Sequence, residues 1–122
     1  MSEASARSTY RHGDLRRALL DAGVELARSG GPDAVVLREA TRRVGVSPNA
    51  AYRHFADRNA LLLAVSAVAQ GYAADRIEEE WRSVPADLDA KSTARLQLRA
   101  VGIGYIGFAR EKPGLFRAAF SV

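Results

Sequence analysis

The stretch GVSPNAAYRHFADR, Gly45 to Arg58, holds a helix stop, a helix start and a run of aromatic, basic and polar residues. Gly45 stands where a helix of only about two turns must end, because glycine takes the left-handed capping conformation without steric cost. Val46 can then turn inward while Ser47 caps a new helix. Pro48 follows at a first helical position, where its missing N–H is not needed. Ahead of this turn, Leu37, Ala40, Thr41 and Val44 recur at i, i+3, i+4 and i+7, which predicts a short helix starting at Val36 or Leu37. Behind it a third helix is predicted from Pro48 to about Phe55. Ala51 and Phe55 would face the core, with Asn49, Ala50, Tyr52 and Arg53 on the other side.

The rest of the chain continues the helical pattern. Residues 1–12 are small, polar and basic without periodicity and read as a flexible basic arm. Asp14 is a plausible N-cap, and Leu15, Leu19, Ala22 and Leu26 form one apolar stripe that SGGPD, residues 29–33, ends. Asp57 can cap a long fourth helix in which Leu61, Leu62, Val65, Val68, Ala69 and Tyr72 run toward Trp81, up to a break at SVPADLD. From Ala90 to Glu111 the pattern is apolar on two faces, Leu96, Ala100, Ile103 and Gly107 on one and Leu98, Val101, Tyr105 and Phe108 on the other. Such a helix is expected to be wrapped by neighbours on both sides. A last apolar helix begins after Pro113. No alternating strand pattern and no tandem repeat occurs, so the predicted class is all-α.

A chain of 122 residues, 48% hydrophobic and 26% charged, can bury a real core, which argues against wholesale disorder and against two large domains. With no cysteine, disulfides and thiolate metal sites are ruled out. The two histidines, His12 and His54, lie far apart, and no metal or cofactor is expected. The N-terminus lacks the apolar core of a secretory signal, and no apolar run is long enough for a bilayer, so the expectation is a cytoplasmic protein with no membrane partner. The net charge is only +4, but residues 36–58 carry five arginines against Glu39 and Asp57, so most of the excess sits in one segment. That clustering fits a phosphate-binding face.

Three catalytic readings fail. GIGYIG, Gly102 to Gly107, spells the dinucleotide fingerprint, yet a helical pattern precedes it, and no acidic residue stands about 20 positions on before the sequence ends. Its small residues fit close helix packing or space for a ligand instead. Glu78, Glu79 and Glu80 point in different directions on a helix, with no nucleophile nearby, and read as a solvated face. Ser47 is an N-cap, and His54 lies seven residues away without an orienting carboxylate. The chain is not expected to be an enzyme.

A helix, a glycine turn and a second helix hold the third helix as a protruding rod whose diameter fits the DNA major groove. Its N-terminal residues would meet base edges, and the flanking Arg, Tyr and His residues would bond phosphates. Leu37 to Leu62, LREATRRVGVSPNAAYRHFADRNALL, resembles the DNA-binding signature of the tetracycline repressor (TetR) family of one-component regulators. With the first helix and the SGGPD turn, the resemblance covers roughly residues 10–65. YIGFAREKPGLFRAAF is similar, more weakly, to a stretch of the effector domain in many members.

The resemblance implies a flexible arm at 1–12, a three-helix helix-turn-helix DNA-binding domain at 13–57 and a partial helical ligand-binding and dimerisation domain at 58–122. It implies that Arg38 reaches phosphate or a base edge, that Ser47, Asn49 and Ala50 face bases, and that Tyr52 and His54 bond phosphates. Arg58, where the family usually has Lys, would bond phosphate bidentately, and Arg53 would also meet phosphate. Arg7 and Arg11 of the arm are candidates for an adjacent minor groove. The implied function is a ligand-responsive repressor binding a palindromic operator in double-stranded DNA as a homodimer. Its small-molecule effector would be lined by Tyr72, Trp81, Tyr105, Phe108 and Phe116, residue types that are equally at home in a plain core. The family's dimer interface usually comes from later helices absent from this sequence, so the apolar ending LFRAAFSV is expected to be cut from a longer protein. The competing reading is a helical protein–protein interaction adaptor that binds an acidic partner through its arginine-rich face.

Overall fold

The computed structural model describes residues 14–122, so the basic arm with Arg7 and Arg11, and also His12, lies outside the described residues. Among these the chain forms six α-helices and no strand. They are α1 (Asp14–Gly30), α2 (Leu37–Val44), α3 (Pro48–Tyr52), α4 (Arg58–Arg82), α5 (Ala90–Glu111) and α6 (Pro113–Ala119).

Helix α1 buries a wider stripe than its spacing predicts. Leu19, Ala22 and Leu26 are buried as expected, but Gly23, Val24 and Ala27 join them because α2, α4 and α6 all pack on this helix. At Gly23 a Cβ would lie 2.9 Å from Val65 Cγ2, so the absent side chain lets α1 and α4 approach. Gly31 ends the helix in the left-handed region (φ 75°), and its N–H donates to the Ala27 carbonyl at 2.7 Å. A 3₁₀ turn, Pro32–Ala34, which periodicity does not reveal, then carries Val35 into the core with no exposure.

In α2 the predicted face is the buried one, with Leu37, Ala40 and Thr41 inside and Val44 half-buried. The Thr41 hydroxyl, out of reach of water, donates to the Arg38 carbonyl at 2.7 Å. Gly45 takes φ 83°, and the Gly45 and Val46 N–H groups both donate to the Thr41 carbonyl, at 2.8 and 3.1 Å. Ser47 caps α3 as its sequence position implies.

Helix α3 is shorter than predicted, five residues instead of a run to Phe55. The N–H groups of His54 and Phe55 both turn back to the Ala51 carbonyl, at 2.9 and 3.0 Å, and this tightening drops the Phe55 ring into the core. His54 is thus placed in the turn after the helix instead of on it. Asp57 then caps α4, accepting from the Ala60 N–H at 2.9 Å.

The 25 residues of α4 form the spine of the molecule, packed against α1, α5 and α6. Leu61, Leu62, Val65, Ala69 and Ala73 are buried, whereas Val68 is half-buried and Tyr72 is exposed, contrary to the predicted stripe. Ser66 is buried in their place, and its hydroxyl donates to the Ala119 carbonyl at the end of α6 (2.9 Å), an acceptor shared with Gln70 Nε2 (2.8 Å).

The expectation that α5 is wrapped on two sides does not hold among the described residues. Ala100, Gly104 and Phe108 are buried, but Leu98 is 74% and Ile106 58% exposed. The buried line takes Ala100 from one predicted face and Phe108 from the other, because α4 and α6 pack along the side between them. GIGYIG lies inside this helix, and a Cβ on Gly104 would stand 2.6 Å from the Ile77 Cα, so close α4–α5 packing accounts for that glycine. In the acidic run, Glu78 pairs with Arg82 on the surface (3.1 Å), whereas Glu80 is half-buried and bonds Arg76 at 2.8 Å. Arg76 also bonds Glu111 at 3.2 Å and so ties α4 to α5. The bonds to Glu80 first, and to Glu111, raise the Arg76 pKa above its ordinary value.

Candidate nucleic-acid interface

The local chemistry of residues 45–58 sets out one narrow helix with an inner and an outer side. Ala51 (0% exposed) and Phe55 (2%) fasten α3 to the core, whereas Ser47, Pro48 and Asn49 of its first turn are exposed. Ala50 is half-buried, so it offers an edge of its methyl group to a partner. Tyr52 is 54% exposed and Arg53 is exposed, as their position opposite Ala51 predicts. His54 is half-buried in the turn that follows.

The Ser47 hydroxyl accepts from the Ala50 N–H at 3.2 Å, so this side chain already serves the fold. Ser47→Ala should cost about 1 kcal/mol through loss of the cap. Thermal denaturation should show a midpoint roughly 4 °C lower; an unchanged midpoint would mean that the cap contributes nothing.

Arg38 is exposed in the first turn of α2, beside Val36 and Glu39 at a shallow hollow of about 260 Å³. Glu39 is taken up by Arg42, which bonds both its carboxylate oxygens. The Arg42 hydrogen bond holds the Glu39 carboxyl below its ordinary pKa, and the same bond raises the Arg42 pKa. Arg38, Arg43 and Arg53 have no ion-pair partner among the described residues, so their charge is open to an outside anion. Arg58 is exposed, yet one guanidinium nitrogen donates to the Pro32 carbonyl at 2.6 Å. That bond links the start of α4 to the turn after α1, a connection that sequence spacing does not suggest.

Of the five residues expected to line an effector site, Tyr105, Phe108 and Phe116 lie together. Tyr105 stacks edge-on against Phe116, with centroids 5.4 Å apart, and Phe120 joins them at 5.7 and 5.3 Å. Phe108 lies 6.3 Å from Phe116. Tyr72 and Phe108 line a cavity of about 340 Å³, between α1, α4 and α5, with Arg28, Asp75, Arg76, Glu79, Glu111 and Lys112. Trp81 is 43% exposed and lines neither this cavity nor the 170 Å³ one between the end of α4 and α5. The charged lining was legible in part, since Tyr72, Asp75, Arg76 and Glu79 follow at i, i+3, i+4 and i+7. No helix among the described residues is long and apolar enough to cross a membrane.

The exposed first turn of α3, the free arginines beside it and the Gly45 turn behind it have the geometry of a helix-turn-helix reading head. Compared with known families, residues 19–65 match the model described as bacterial regulatory proteins, tetR family, a span that runs from the middle of α1 into α4. No curated protein and no solved structure matches the chain. The residues that build the reading head are those the family model covers, and over that span the chain is similar to the DNA-binding transcriptional regulators of the tetR family.

Proposed function

We propose that this chain is a cytoplasmic, ligand-responsive repressor that binds a palindromic operator as a homodimer. The observation that carries the reading is the anchoring of α3 by Ala51 and Phe55 with Ser47, Asn49 and Tyr52 left outward. In this reading Ser47, Asn49 and Ala50 meet base edges, while Arg38, Tyr52, Arg53, His54 and Arg58 bond phosphates. Arg58 does so with the guanidinium nitrogens not given to Pro32. Residues 13–57 act as the reading domain and 58–122 as part of the effector domain.

Helix α4 serves both parts. At 1.5 Å per residue its 25 residues span about 37 Å, long enough to carry a change at the effector side to the reading head. A dimer must place its two heads about 34–36 Å apart to read successive major grooves. An effector represses or releases binding only if it prefers one head spacing over the other, since equal affinity for both shifts nothing. Tyr72, Trp81, Tyr105, Phe108 and Phe116 remain the aromatic candidates for that ligand, and Tyr72 and Phe108 share a cavity.

Selection of bound sites from a random duplex pool tests the reading. A recovered palindrome is expected, and Asn49→Ala should then change the preferred base at one position per half-site, a discrimination of about 1–3 kcal/mol. Recovery of no preferred sequence, with binding that ignores added salt, would favour a protein-binding adaptor instead.

A further inference from the structure

The first turn of α1 brings an arginine to the reading head that no motif marks. The Arg16 guanidinium carbon lies 5.0 Å from the centroid of the Phe55 ring, the residue that closes the turn after α3. Phe55 is buried, so its ring is a fixed platform, while Arg16 itself is exposed. The guanidinium of Arg16 thus rests over the Phe55 ring at the edge of the core while the residue stays exposed at the surface.

That charge has no ion-pair partner among the described residues. The acids of its own helix, Asp14, Asp21 and Glu25, stand two, five and nine residues away, off the i±3 and i±4 positions from which they could reach it. Tyr52, Arg53 and His54 immediately precede Phe55 in the chain, so Arg16 adds a cation from a second element to the edge that they form.

We propose that Arg16 is a DNA-phosphate contact held in position by Phe55, so that the backbone-binding edge is built jointly from α1 and the turn after α3. The proposal rests on the DNA-binding reading above. A guanidinium attracted to an aromatic face still offers N–H donors for two phosphate oxygens. Being already placed against the ring, it also loses less side-chain freedom on binding than a free surface arginine. Phe55 is therefore a positioning residue as well as a core residue.

The test measures binding of the protein, Arg16→Gln and Arg16→Lys to two unrelated duplex sequences across a salt series, with thermal melting of each protein alongside. Arg16→Gln is expected to weaken both duplexes by the same factor, roughly tenfold, and to lower the slope of log K against log salt by about 0.9. Arg16→Lys should keep the slope and recover part of the affinity, because an ammonium keeps the charge but not the two-pronged bond. An unchanged slope in Arg16→Gln, with or without a lower melting point, would overturn the assignment and leave Arg16 a packing residue. A change of sequence preference would overturn it in favour of a base contact. Failure of the unmodified protein to bind either duplex at low salt would overturn the DNA-binding reading and this inference together.

Discussion

Phe55→Ala is expected to cost about 4 kcal/mol of folding stability, in the range for truncating a buried aromatic ring. The ring is 2% exposed within the main core, and the backbone on either side of it is committed. Its own N–H bonds the Ala51 carbonyl, and Asp57, two residues on, caps α4. The chain therefore cannot shift to fill the hole, and most of the cavity should persist. Domains of this kind have only about 5–15 kcal/mol in hand, so the urea midpoint should fall by a large fraction of its value. Duplex affinity should fall further than the unfolded fraction explains, because the ring also sets where α3 ends. A midpoint within error of the parent protein would show that the ring does not fill the core.

Gly114→Val should be the other severe substitution, at about 3 kcal/mol. Helix α6 begins against the last turn of α1, where a Cβ on Gly114 would overlap the Ala27 carbonyl oxygen and come 2.7 Å from that of Arg28. Both obstacles are backbone, and the Ala27 carbonyl already accepts the Gly31 N–H, so neither can give way cheaply. At its other end α6 is held by Ser66 and Gln70 of α4 through the Ala119 carbonyl. Pushing its start off α1 thus strains a segment pinned at both ends, and calorimetry should show a midpoint lower by roughly 10 °C. Gly102→Ala is the matched control, because nothing stands within 4 Å of a Cβ there. Equal melting of the two variants would mean that the α1–α6 seat tolerates a side chain.

Helix ends were legible wherever one residue's own chemistry settles them. Gly45 stops α2, Ser47 and Pro48 start α3, and Asp57 caps α4. These bonds join residues at most four apart, so a short window contains both partners. The reading head was legible for the same reason. Asn49 and Tyr52 were expected outside and Phe55 inside from spacing alone, and they are there.

What required the tertiary structure is what joins distant residues. Helix α3 stops at Tyr52 because Phe55 must reach a core that α1 and α4 also line, and no local signal reports that pull. The Arg58 bond to Pro32 and the Ser66 bond to Ala119 span 26 and 53 residues. Arg16 meets Phe55 only because the start of α1 folds back beside the end of α3. The faces of α5 make the contrast plainest. Periodicity put Ala100 on one apolar face and Phe108 on the other with Leu98, and only packing decided that Ala100 and Phe108 are both covered while Leu98 is not. A helical repeat states which side chains share a face; which face is buried depends on the other helices that reach it.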